Sequence, residues 1–249
     1  MRTMVGFKDH LESFAPGAQI SNAVPAGGAT ADSHFEARLS QTIESYDSNA
    51  ETYTTRFQHV DLSEHRRRFL KRLPSPTGLL LDAGCGPGRD LRLFAQDGFR
   101  AIGLDRSAGL LGIARSAGHD VVEGDLRDIP FKSGSFAGVW ACASLLHLSI
   151  AELASALAEF KRVLRPDGNL FASVRYGFGV EERPDESGHK RWFYLYSAPD
   201  IEQVLLQSGF VDIEAKVEPG AAHGTWVNIH ARSGSACHSY SGARRVGHE

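Results

Sequence analysis

The segment Leu79-Leu80-Leu81-Asp82-Ala83-Gly84-Cys85-Gly86-Pro87-Gly88 restricts the fold more than any other stretch of the chain. A short apolar run suits a strand buried on both faces, and three glycines at alternate positions directly after it suit a turn whose backbone comes close to a ligand. Of the 26 glycines in 249 residues, 12 lie between Gly78 and Gly138. Proline numbers only 10, so the glycine surplus has a local use and is not the mark of a low-complexity chain.

From Gly78 onward, short apolar runs ending in Gly or Asp alternate with helix-length segments. The pattern predicts strands at Leu79–Ala83, Ala101–Leu104, Asp120–Val122, Ala137–Ala141 and Asn169–Val174, with helices at Arg89–Gln96, Ala108–Ser116 and Ile150–Leu164. Repeated βα units imply a parallel sheet covered on both faces. Upstream, Phe35, Leu39, Ile43, Tyr46, Tyr53, Phe57 and Val60 recur at helical spacings, followed by Phe69, Leu70 and Leu73, which predicts two or three helices over 34–75. Downstream, 175–197 is rich in glycine, charge and aromatic residues and too long for a plain connection. A helix from about Pro199 to Gln207 and strands at Val211–Val217 and Thr225–Ala231 follow. One domain over 34–231 is expected, with a flexible extension at 1–33 and a disordered tail at 232–249, because both ends are poor in apolar residues.

A formal net charge of -3 gives no field that would draw the chain onto nucleic acid or an acidic membrane. Cys85, Cys142 and Cys237 are odd in number and lack CxxC spacing, which suggests neither a disulfide framework nor a zinc site. No window reaches the roughly 18 apolar residues of a membrane span, and Met1 to Gly17 lacks the apolar stretch of a secretory signal. A cytoplasmic protein, monomeric or homodimeric, without metal, membrane or nucleic-acid partner, is expected.

The glycines alone leave several ligands open. A dinucleotide fingerprint, Gly-x-Gly-x-x-Gly counted from Gly84 and Gly86, would need its third glycine where Arg89 stands, and no phosphate-cradling Gly-x-x-x-x-Gly-Lys-Ser/Thr string occurs anywhere. Asp105 closes the second predicted strand, 21 residues beyond Gly84, where a carboxylate can accept from ribose hydroxyls. Glu123-Gly124-Asp125-Leu126 offers another carboxylate after the third strand, suited to an adenine amine. Each of these acids also suits a turn or a helix N-cap.

Taken together, LLLDAGCGPGRD, AIGLDRS, VVEGDLRDIPF, FAGVWACASLLHL and RVLRPDGNLFASV resemble, in order, the Rossmann-like (class I) S-adenosylmethionine-dependent methyltransferases of the small-molecule type. The resemblance implies an α/β fold with a seven-stranded, mostly parallel sheet, an antiparallel last strand and an N-terminal helical lid. It implies S-adenosylmethionine as cofactor and S-adenosylhomocysteine as product. It places Asp82, Ala83, Gly84, Cys85 and Gly86 around the methionine part, Asp105 and Arg106 at the ribose, Asp125 and the amide of Leu126 at the adenine, and Trp140 or Ala141 beside the sulfonium. Ala137 departs from the Asp that such proteins frequently carry after Phe136, a position that mostly serves strand entry. The implied reaction is methyl transfer to an oxygen or nitrogen of a small organic acceptor, with natural-product metabolism as one setting. A non-catalytic partner on the same fold is the alternative, and a nicotinamide oxidoreductase is disfavoured by Arg89.

His147, just past the fourth strand, is the candidate general base, although a histidine there also suits helix capping or packing. Tyr46 and Tyr53, seven residues apart, fall on one helical face and suit either a lid or an ordinary packing stripe. Tyr176 and Trp192, within an aromatic set completed by Phe178, Phe193, Tyr194 and Tyr196, are candidate substrate contacts; alternating Trp192, Tyr194 and Tyr196 equally suit a strand packed on a helix. Arg175, Arg183, Lys190 and Arg191 suit a carboxylate or a solvated loop. His65-Arg66-Arg67-Arg68 reads as a solvated helix face rather than a nucleic-acid patch. His223, His230 and His238 lack zinc-ligand spacing. Val139–Ser144 contains no Asn/Asp-Pro-Pro-Tyr string, which counts against methylation of base amino groups.

Overall fold

The computed structural model describes residues 33–75, 77–185, 187–220 and 224–234; the expected extension at 1–33, nearly all of the expected tail, Cys237, His223 and His238 lie outside them. Three helices, α1 (Ser33–Ser48), α2 (Ala50–Phe57) and α3 (Ser63–Lys71), precede the sheet. The alternating core follows as β1 (Leu80–Ala83), α4 (Arg89–Gln96), β2 (Ala101–Asp105), α5 (Ala108–Ser116), β3 (Val121–Glu123), β4 (Phe136–Cys142), α6 (Ile150–Val163) and β5 (Leu164–Arg175). Then come β6 (Gly179–Pro184), β7 (Lys190–Leu195), α7 (Ala198–Gln207), β8 (Phe210–Pro219) and β9 (Thr225–Ser233).

Seven strands form one sheet in the order β3-β2-β1-β4-β5-β9-β8, with β9 antiparallel to both its neighbours and the other pairings parallel. All four residues of β1 are buried, as a central parallel strand covered on both faces requires. Leu80 shares one face with Phe69, Phe94, Trp140 and Phe171 under α3 and α4, while Leu81 and Ala83 face the larger core shared with α6 and α7. Local sequence sets the boundaries: the Ser107 hydroxyl accepts from Leu110 N–H at 3.2 Å to start α5, and Ser197 with Asp200 forms a capping box at α7.

Most strand ends differ from expectation by one or two residues, and two departures are larger in consequence. β5 starts at Leu164 rather than Asn169, because Leu164 pairs with Phe136 and a register shift absorbs the Pro166–Gly168 step, where Asp167 takes φ 60. The face expected to carry Tyr46 and Tyr53 on one helix is split at Asn49, whose φ of -122 and ψ of 24 leave the helical region.

The 175–197 segment forms a separate hairpin, β6 antiparallel to β7. It is tied to the N-terminal helices: Thr42 Oγ1 accepts from Trp192 N–H at 3.0 Å, and Asp185 Oδ2 accepts from Ser45 Oγ at 2.5 Å and Asn49 Nδ2 at 2.7 Å. Among the described residues, no helix is long and apolar enough to cross a membrane.

Trp140 stacks on Phe171 with ring centroids 4.0 Å apart, and its Nε1–H donates to the buried Asp90 Oδ2 at 3.0 Å. Replacing it by Phe removes that donor from a buried carboxylate, so Trp140→Phe is expected to cost about 1–3 kcal/mol, read as a lower urea midpoint at unchanged slope.

Candidate functional site

The strand order places a topological switch between β1 and β4: the chain leaves β1 through α4 towards β2 on one side, and β4 through α6 towards β5 on the other. Ligands of doubly wound sheets sit at the carboxyl ends of strands beside such a point. There Gly84 takes φ +82 and packs so tightly that a Cβ would fall 2.2 Å from Ser144 Cβ, while Ser144 Oγ donates to Ala83 O at 2.7 Å. The two diverging loops are thus stitched together, and only glycine fits the first of them.

Two adjoining cavities open at this point. A small one of about 100 Å³ is lined by Asp105, Arg106, Gly124, Asp125, Leu126, Ser144 and His147, and a larger one of about 720 Å³ by Cys85–Asp90, Ser173, Arg175, Arg183, Arg191, Phe193, Trp226 and others. Tyr46, Tyr53, Gly84, Gly86, Cys142 and Ala143 line both. At Gly86 a Cβ would meet only Leu110 Cδ1 at 3.9 Å and Tyr53 Cε1 at 4.0 Å, so the backbone borders open space.

The structure brings together most of the residues expected from sequence. Asp105 accepts from Gly86 N–H at 2.8 Å and from Ser107 N–H at 2.9 Å; burial pushes its carboxyl up and these backbone donors oppose that. Tyr46 and Tyr53 meet edge to face with centroids 5.0 Å apart despite the break at Asn49. Asp47 fastens α1 over the start of α5, accepting from Ser107 Oγ at 2.6 Å and Gly109 N–H at 2.9 Å.

His147 Nδ1 lies 2.8 Å from Trp192 O and Nε2 lies 2.9 Å from Tyr46 Oη. A carbonyl only accepts, so Nδ1 carries the proton and Nε2 accepts from the Tyr46 hydroxyl. Burial lowers His147 to about 4, with Arg191 adding to the effect, and burial raises Tyr46 to about 12. The imidazole is therefore neutral near pH 7, and the tyrosine stands between it and the larger cavity.

Several expectations need correction. Trp140 and Ala141 are fully buried and line neither cavity; β4 runs one residue further than expected, so Cys142, Ala143 and Ser144 take the wall. Asp82 and Ala83 also lie behind the wall, buried under the loop. The Asp82 carboxyl is pushed well above the usual range by burial and by Asp90, and its Oδ2 has no hydrogen-bond partner. Asp125 lines the small cavity, but its carboxylate is already bound by Arg127 and by Arg106 Nη1 at 2.8 Å; burial opposes these partners, which still hold it below the usual range. The Trp192 ring faces α1, where Nε1–H donates to Gln41 at 2.8 Å, and only its carbonyl reaches His147. Tyr176 is 41% exposed beside Phe178, away from both cavities.

The β7 residues that reach the cavity, Arg191 and Phe193, are the odd-numbered neighbours of the even-numbered Trp192, Tyr194 and Tyr196, joined by Arg183 of β6; period-two alternation was the available signal. The basic run of α3 is not a solvated face. Arg66 pairs with Asp97 at 2.8 Å, Arg68 pairs with Glu214, and His65 lies 3.1 Å from Glu218 and 3.3 Å from His230, with only Arg67 well exposed. Among the described residues, no group of three or more His, Cys, Asp or Glu is placed to hold a metal.

A family model described as a methyltransferase domain matches residues 81–172. A protein of Encephalitozoon cuniculi named as a methyltransferase is 30% identical over 199 residues, covering 72% of this chain and 90% of that protein. The chain belongs to the class I S-adenosylmethionine-dependent methyltransferases. Within that family, the malonyl-[acyl-carrier protein] O-methyltransferase of Yersinia pestis is 36% identical over 142 residues, 55% of this chain but only 49% of the relative. The solved 1,6-didemethyltoxoflavin-N1-methyltransferase of Burkholderia thailandensis, bound to 1,6-didemethyltoxoflavin and S-adenosylhomocysteine, shares the fold with a TM-score of 0.61 at 20% identity, covering 85% of this chain and 94% of that one. The methyltransferase's glycine loop and its partner loop after β4 both fall inside the matched region.

The two buried neutral histidines give this methyltransferase an acid sensitivity. Burial holds His147 at about 4 and His230 at about 3, below the ordinary 6.5, so between those values the unfolded chain binds more protons and acid favours unfolding. From pH 7.5 down to pH 4, His147 alone is expected to remove on the order of 3 kcal/mol of stability. Urea unfolding across that range should show a smaller loss in His147→Gln.

Proposed function

We propose that the protein transfers the methyl group of S-adenosylmethionine to an oxygen or nitrogen of a small organic acceptor held in the larger cavity. The observation that carries this reading is the adjacency of the two cavities, which share Tyr46, Tyr53, Gly86 and Cys142 as a common wall: the smaller lies against the acids at the ends of β2 and β3, and the larger suits a small molecule. Its volume of about 720 Å³ lies within the span of small-ligand sites, and its wall mixes aromatic faces with a few charged groups.

The residues present fit the cofactor. Gly86 borders space that a side chain would fill, each Asp105 oxygen keeps a lone pair beyond its one backbone donor, and Leu126 lines the pocket where an adenine edge would lie. In this reading Gly84, Cys85 and Gly86 hold the methionine part, Asp105 and Arg106 the ribose, and Leu126 the adenine. Asp125 acts through its arginines rather than as a free acceptor. The bound sulfonium supplies an already activated methyl group, so the protein's work is to orient the acceptor and exclude water.

For a hydroxyl acceptor, Tyr46 Oη can take the proton while its own passes to His147 Nε2. Burial raises Tyr46 and lowers His147, so a standing transfer of the tyrosine proton to the imidazole is uphill. The relay therefore runs only in step with bond formation. An amine arriving deprotonated would use the pair for orientation alone.

Positioned acid–base groups contribute roughly 100-fold or more to turnover, so Tyr46→Phe and His147→Ala are expected to lower kcat by at least about tenfold on a hydroxyl acceptor while leaving the calorimetric affinity for S-adenosylhomocysteine within about threefold. Unchanged kcat in both variants would make the pair structural. Asp105→Asn should have the opposite signature, weakening S-adenosylhomocysteine by about tenfold or more, the scale of a charge-assisted hydrogen bond. Cofactor binding without methyl transfer to any member of a broad acceptor panel would favour a non-catalytic partner instead.

A further inference from the structure

Nine arginines have a carboxylate partner within ion-pair distance: Arg66, Arg67, Arg68, Arg89, Arg106, Arg127, Arg162, Arg183 and Arg232. Four that line the larger cavity, Arg56, Arg92, Arg175 at the end of β5 and Arg191 in β7, have none among the described residues; Arg56 and Arg92 are exposed to solvent, whereas the Nε of Arg175 and of Arg191 is buried without a hydrogen-bond partner. The nearby acids are already engaged. Glu181 accepts from Arg183 with both oxygens at 2.8 and 2.9 Å, Glu182 pairs with Lys190 at 3.1 Å, and Glu218 is held by His65 and by Asn228 Nδ2 at 2.7 Å.

We propose that Arg175 and Arg191 form an anion-recognising subsite and that the methyl acceptor carries a carboxylate or a phosphate that they hold. Resting on the small-acceptor reading above, this assigns the acceptor's chemical class. Burying a guanidinium without a counter-charge costs several kcal/mol, and its planar fork matches carboxylate and phosphate oxygens. Aromatic faces fix the two groups: Arg191 lies 5.7 Å from the Tyr46 ring and 5.8 Å from the Phe193 ring, and Arg175 lies 6.0 Å from the Trp226 ring. Arg183, directly across from Arg191 in the hairpin, adds positive charge to the same wall. An anion on Arg191 therefore lies on the wall that also carries Tyr46, and the acceptor is anchored at one end while its other end reaches the Tyr46–His147 pair. Burial and the Arg183 charge both disfavour the Arg175 cation in the ligand-free cavity, consistent with a counter-ion that arrives with the substrate.

The test titrates benzoate and, separately, inorganic phosphate into the full chain saturated with S-adenosylhomocysteine, by calorimetry and by the fluorescence of Trp226, referenced to a Trp226→Phe variant. The expected result is saturable binding of at least one anion, weakened at least tenfold in Arg175→Gln and in Arg191→Gln, partly restored in Arg191→Lys and unchanged in the exposed-site control Arg165→Gln. Preference for benzoate identifies a carboxylate acceptor, and preference for phosphate a phosphorylated one. Both Gln variants should keep a Tm close to wild type, since each removes a half-buried charge that has no carboxylate partner; a lowered Tm with unchanged anion binding would assign the arginines a structural role and overturn the proposal. Binding of S-adenosylhomocysteine without either anion overturns this inference and leaves the methyltransferase reading standing, whereas failure to bind S-adenosylhomocysteine strikes the underlying reading itself.

Discussion

The contact between Gly84 and Ser144 is the constraint on which the rest of the site depends. β1 and β4 lie side by side, but the chain leaves them in opposite directions, so a gap opens at their ends unless something joins the loops. Ser144 closes it by donating to Ala83 O while its Cβ occupies the place that a side chain on residue 84 would need. With Gly84 fixed in its left-handed turn, Gly86 N–H reaches Asp105, and the ends of β1, β2 and β4 are held in one wall. The cavities, the tyrosine pair and the hairpin are arranged around that wall.

Against it stands an N-terminal cover held by apolar and polar attachments together: Phe35 and Leu39 of α1 are buried in the main core. Asp47 grips Ser107 and Gly109 on one side, and Thr42, Ser45 and Asn49 bind the hairpin on the other. Hydrogen bonds of this kind contribute only about 1 kcal/mol each, far less than the apolar packing beneath the sheet. The Tyr46–His147 hydrogen bond crosses the same boundary.

Much of this was legible in the chain. The alternation of apolar runs and helix-length segments located every core strand to within a few residues, because a parallel sheet buried on both faces admits little else. The glycine string, Asp105 and His147, singled out by its place after β4, all line the cavities at the β1–β4 junction. The corrections have physical causes. The family resemblance put Trp140 or Ala141 beside the sulfonium, yet β4 continues to Cys142 and the Trp140 indole turns to Asp90 and Phe171. Trp192 and Phe193 stood in one aromatic set, and which of them faces α1 is decided by contacts of Trp192 with Gln41 and Thr42 made across the fold. Asp125 could be placed by position, but its capture by Arg106 and Arg127 depends on tertiary approach.

The central claim is that the glycine loop and the helical cover enclose S-adenosylmethionine between them. Hydrogen–deuterium exchange of the full chain, with and without saturating S-adenosylhomocysteine, tests it most directly. Slowed exchange in 84–88, in 105–110 and across 45–57 together is the predicted result. Protection absent from 84–88, or confined to segments remote from the β1–β4 junction, would contradict it.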